Sequence, residues 1–275
     1  MSQLTDSLNQ IKTWLEENFP QAAESITPGL TLLEIESKIE NLPFSLPEEF
    51  YELYQWSRGN DIGPLIKYSC ILDPYGGTSL SNLEIAIEKF PDFEDEEFEE
   101  CAVNYIGKPL FPIFQTDLDC LCVIGNWEDK NSSPMFFVSD IHETSHAYLS
   151  LTSMMKTVIE LLEANAFDFN QGYLKWNEEK YTEIYLKHNS NILELSVNKL
   201  QQHLLITEPN SVAEEQAKDT FENDIHNLDA KRLNLTSRQL DSKIVEPLII
   251  ALEDEDKRVR NLVKWGLEEL EYDFE

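Results

Sequence analysis

Apolar residues recur at three- and four-residue spacing from the start of the chain. Leu4, Leu8, Ile11 and Leu15 share one face of a helix predicted over residues 2–18, with Trp14 beside that face. The stretch 20–29 breaks the spacing, and Leu33, Ile35 and Ile39 resume it in a second helix over 31–41. A third helix is predicted from Ser45-Leu46-Pro47-Glu48, which offers a hydroxyl cap, a proline near the first turn and a carboxylate three residues after the cap. Phe50, Leu53, Tyr54 and Trp56 follow, and Gly59 should end it.

Short apolar runs divided by turn residues then replace the helical period. They predict strands at 66–72, 109–114, 121–125 and 135–139, with a helical stretch at 80–89 between the first two. Helical spacing returns at 152–164, so the strands are bracketed by helices. The fold class expected is α+β, an antiparallel sheet flanked by helices. Beyond about residue 170 the chain reads as entirely helical, with segments near 178–187, 192–205 and 212–227 and two more after 237. Two parts follow, an α+β domain over 1–170 and a helical region over 171–275.

The apolar share of 41%, with 14 Phe, 10 Tyr and 5 Trp, supplies enough buried area for a folded core. Charge narrows the partners. With 21 Lys and Arg against 52 Asp and Glu, the formal charge is −31, which repels nucleic-acid backbones and anionic membranes and favours a protein with a basic surface. Four cysteines without a Cys-x-x-Cys pair read as reduced and mostly buried. No apolar leader or long apolar run stands out, so a cytoplasmic protein is expected.

The order of the pieces resembles the SMI1/KNR4 (SUKH) family. The carriers are Leu46-Pro47-Glu48-Glu49-Phe50-Tyr51-Glu52-Leu53-Tyr54, a Gly59-Asn60 turn in place of Asn-Gly, Leu110-Phe111-Pro112-Ile113 followed by Asp119, and Pro134 to Glu143 followed by Leu149 to Met155. The resemblance covers roughly residues 10–170. It implies a domain that binds proteins without catalytic residues or a cofactor, as an immunity protein neutralising a toxin domain or as a regulatory scaffold. Near the C-terminus, Pro247 to Leu267 is similar to one HEAT-like helical hairpin, about 240–272, with a proline-started helix, an acidic turn and a second helix from Lys257.

One motif points to chemistry instead. His142-Glu143-Thr144-Ser145-His146 matches the zinc-peptidase pattern His-Glu-x-x-His, whose mechanism requires both histidines on one helical turn. Thr144 and Ser145 favour turns over helix interiors, so the motif reads as a surface loop, and a zinc hydrolase using His142 and His146 is the alternative function. Cys120 and Cys122 lie on one face of a strand and read as small core residues, or as metal ligands together with His142 or His146. No phosphate-binding glycine loop and no Gly-x-Ser-x-Gly elbow occurs. For binding, Tyr51 and Trp56 are the candidate anchors. Seven acidic residues in 92–100, including Asp92, Glu94, Asp95, Glu96 and Glu97, would form an acidic rim with Asp119 and Glu143.

Overall fold

The computed structural model describes residues 2–59, 78–90, 105, 107–116, 119–139, 144–170, 173–206, 212–228, 242–270 and 272. Helix α1 (Gln3–Asn18) starts where the Ser2 hydroxyl accepts the Thr5 N–H at 3.1 Å, and its four predicted apolar positions are all buried. After the short α2 (Pro20–Glu24), Thr31 and Glu34 form a reciprocal capping box that opens α3 (Leu32–Ile39).

The start of α4 (Glu48–Trp56) differs from expectation. Pro47 occupies the cap, since a proline disfavours the helical region for the residue before it, and its hydrocarbon ring offers no side-chain cap bond. The free Glu48 and Glu49 N–H groups donate to the carbonyls of Lys130 and Asn131, at 2.8 and 3.0 Å. Ser45 turns away to the Asn126 side-chain oxygen. A loop distant in sequence does what the local hydroxyl was expected to do.

Five antiparallel strands form the sheet in the order β1 (Ser79–Leu80), β2 (Leu110–Gln115), β3 (Cys120–Ile124), β4 (Met135–Val138) and β5 (Thr144–Tyr148). Between β1 and β2 lies α5 (Leu83–Lys89), capped by Asn82, so the helix expected from residue 80 gives its first three positions to the sheet edge and the cap. The expected strand at 66–72 and the acidic run 92–100 lie outside the described residues. Following β5, α6 (Leu151–Glu163) packs on α1 and buries Leu151, Met154, Met155, Val158 and Leu162 against one sheet face.

The expected surface loop at 142–146 is corrected in part. Thr144–Tyr148 is a strand, and Ser145, His146, Ala147 and Tyr148 are buried. Threonine is favoured in strands, and the Thr144 hydroxyl finds its partner in Thr220, 76 residues further on.

The region after residue 170 is not wholly helical. β6 (Phe167–Asn170) and β7 (Tyr173–Trp176) form a separate antiparallel hairpin. Phe167 sits 5.7 Å from Trp14 and 5.8 Å from Trp176, ring to ring, which fastens the hairpin to α1. Then come α7 (Glu178–His188), α8 (Ile192–Ile206), α9 (Val212–Leu228), α10 (Ser242–Ala251) and α11 (Lys257–Glu269). The expected start of α10 at Pro247 is five residues late, since Pro247 lies inside the helix. Trp265 packs edge-on to His226 at 5.7 Å. Buried apolar residues from α1 through α11 form one continuous cluster that spans both parts of the chain.

Candidate functional site

The Leu-Pro-Glu-Glu segment acts through its second glutamate. Glu49 is buried; its Oε2 accepts the Leu151 N–H and its Oε1 the Thr152 N–H, each at 3.1 Å, and the Thr152 hydroxyl also donates to Oε1. A carboxylate from α4 therefore caps the N-terminus of α6, where free N–H groups and the helix dipole favour negative charge. Burial pushes the Glu49 carboxyl above its usual range, against the opposing pull of these bonds. Gly59 follows α4 in the left-handed region at φ 79°, and a Cβ there would lie 2.1 Å from the Ser81 carbonyl oxygen. Its partner Asn60 lies outside the described residues.

Helix α3 lies beside α4. The Leu30 N–H donates to the Tyr54 carbonyl at 2.9 Å. Tyr51 is half-buried with its ring against Phe50, and its phenol is pushed above the usual range by burial and then by the nearby Glu36 carboxylate. On α3, Leu32 is 46% and Leu33 77% exposed, among exposed Glu34, Glu36 and Glu40. The single cation of this helix, Lys38, is paired with Glu84. Two adjacent leucines thus stand in water inside an acidic field.

The predicted anchors do not share this face. At 100° per residue, Tyr51 and Trp56 lie on opposite flanks of the buried Phe50–Leu53–Tyr54 stripe. Trp56 is half-buried against the main core. Asp119 sits elsewhere, at the β2–β3 turn, where its N–H donates to the Thr116 hydroxyl at 2.8 Å. Asp92, Glu94, Asp95, Glu96, Glu97, His142 and Glu143 lie outside the described residues.

His146 belongs to a different constellation. Its backbone N–H donates to Asp224 Oδ1 at 2.6 Å, its Nδ1 is 2.7 Å from Asp224 Oδ2, and its Nε2 is 3.0 Å from the Tyr105 hydroxyl. Ser196 donates to the same Asp224 Oδ2 at 2.6 Å. Burial pushes the Tyr105 phenol above its usual range. Both His146 ring nitrogens are occupied, and residues 144–146 are extended, so the helical turn that a zinc peptidase needs is not formed there. Cys122 aligns with Phe136 and Phe136 with His146, which sets His146 two strands, roughly 10 Å, from Cys122. Burial pushes the Cys120 thiol up to about 11 and Cys122 well above its usual range, as expected of core cysteines.

Sequence reasoning missed Glu49, Tyr105, Ser196, Lys199 and Asp224. A trace of them exists. Ser196, Lys199 and His203 recur at three- and four-residue spacing along α8, and Thr220 and Asp224 are four apart on α9, so each set forms a polar stripe beside an apolar one. Nothing local says that the stripes are buried.

A five-stranded antiparallel sheet covered by helices defines an α+β domain. Residues 29–157 match the model of the SMI1 / KNR4 family (SUKH-1), so this α+β part of the chain is similar to that family. The resemblance read from Leu46–Tyr54 and the segments after it is thus borne out. No match was found among curated proteins. Among the described residues, no helix is long and apolar enough to cross a membrane.

Proposed function

We propose that the chain is a non-enzymatic, cytoplasmic binding protein whose SUKH-1 domain docks a partner with a basic surface. The observation that carries this reading is the exposed Leu32–Leu33 pair on α3, surrounded by Glu34, Glu36 and Glu40. Exposed apolar side chains supply burial energy on contact, and the carboxylates steer a cationic partner toward them. A charge of −31 extends that steering over the whole molecule. In the immunity reading the partner is a basic toxin domain; in the scaffold reading it is a regulatory protein.

The test is affinity capture by the parent chain, by Leu33→Asp and Glu36→Lys, and by a control change on α10, Ile250→Asp. A captured basic protein that is lost with the α3 variants and kept by the control supports the reading. Capture indifferent to Leu33 and Glu36, or no capture at low salt, contradicts it. Co-expression with the captured protein then separates the two roles, since only an immunity protein restores growth.

A further inference from the structure

β5 is the last strand of the sheet, yet no strand covers its free side among the described residues. Side chains from the C-terminal helices do. Asp224 of α9 takes the His146 N–H, Asn223 of α9 donates to the Thr144 carbonyl at 3.3 Å, and Tyr185 of α7 donates to the Ala147 carbonyl at 2.8 Å. Thr144 and Thr220 share a hydroxyl bond at 2.8 Å. An open strand edge is thus closed by helices, residue by residue.

At the centre of this closure sits the buried amine of Lys199, on α8. Its Nζ donates to Thr220 Oγ1 at 3.0 Å and lies 4.3 Å from the Phe136 ring centroid and 5.2 Å from that of Tyr105. An ammonium has three N–H donors, and here one oxygen and two ring faces receive it. We propose that Lys199 makes the docking of α8 and α9 on β5 sensitive to pH, the grip tightening once the buried ammonium, with one oxygen acceptor for its three N–H groups, gives up its proton.

The charged and titratable groups around it, among the described residues, are few. Asp224 on α9 favours the ammonium. His203 on α8 faces it, held down to about 4 by burial and then by Lys199 itself. His146 on β5 and Tyr105 complete the set through their ring contacts with Phe136 and with each other. Burial outweighs the Asp224 attraction and brings the Lys199 amine down to about 7. An amine that is lowered when docked and ordinary when exposed binds fewer protons in the docked state between pH 7 and its ordinary range. Docking therefore strengthens as pH rises through that window and gains nothing more below it.

Hydrogen exchange of the full chain, corrected for the chemical rate, tests this at pH 6.5 and 8.5. The opening of β5, α8 and α9 should be roughly twenty-fold rarer at pH 8.5, while α1 shifts by less than about two-fold. Lys199→Met should abolish the difference. If that variant fails to fold, a ¹³Cε-lysine titration of the parent chain gives the answer instead, with one resonance titrating near neutrality. Equal opening at both pH values, an equal shift in α1, or every lysine titrating in the ordinary range would overturn the proposal.

Discussion

Two regions invert the usual placement of residues, in opposite senses. On α3, Leu32 and Leu33 stand in water; between β5 and the α8–α9 pair, Asp224, Lys199, His146 and Ser196 are buried. Exposed leucines leave the folded chain intact, because removing them changes little that the core depends on. Buried carboxylates and amines are tolerated only while each has its partners, so a single deletion strands several groups at once. The contrast teaches that the region with the richest chemistry here holds the structure together, and that the plainest surface is where a partner can gain most.

Substitutions at four sites sharpen this comparison, in falling order of their effect on stability. Asp224→Ala removes the acceptor for His146 N–H, His146 Nδ1 and Ser196 and leaves Lys199 without a counter-charge, so urea unfolding should show a loss of about 3–5 kcal/mol. Glu49→Ala uncaps α6 and should cost about 2–3 kcal/mol by the same measurement. Glu49 also carries a pH signature. With its carboxyl raised in the folded state, it favours folding at acid pH, and that contribution declines as pH rises through the folded value. Glu49→Gln should remove the decline.

Gly59→Ala forces a Cβ onto the Ser81 carbonyl at positive φ, an expected cost of about 1–3 kcal/mol, seen as a lower Tm. Leu33→Asp should change stability by less than about 0.5 kcal/mol while abolishing partner capture. A Leu33→Asp chain that unfolds, or an Asp224→Ala chain as stable as the parent, would dissolve the contrast between the two regions.

Much of the fold was legible because period and caps are local signals. α1, α3, α6, α7, α8, α9 and α11 begin and end within about two residues of their sequence patterns, and β2, β3 and β4 follow their apolar runs. What escaped depends on contacts made across the chain. Thr144–Tyr148 is a strand because Asn223 and Asp224 satisfy it, and α4 starts after Pro47 because Lys130 and Asn131 receive its N–H groups. The site was less legible still. Leu33 read as part of an apolar face with Ile35 and Ile39, of which Ile35 is buried and Leu33 exposed, because helical spacing alone does not tell which edge of that face meets the core.

The central claim is that partner binding sits on the α3 face, apart from the buried polar groups that fix the C-terminal helices. Calorimetric titration of the captured partner into the parent chain and into Leu33→Asp tests it most directly. The account predicts at least a ten-fold weaker affinity for the variant with an unchanged unfolding midpoint, a difference of about 1.4 kcal/mol or more in binding free energy. Equal affinity for the two chains would contradict it.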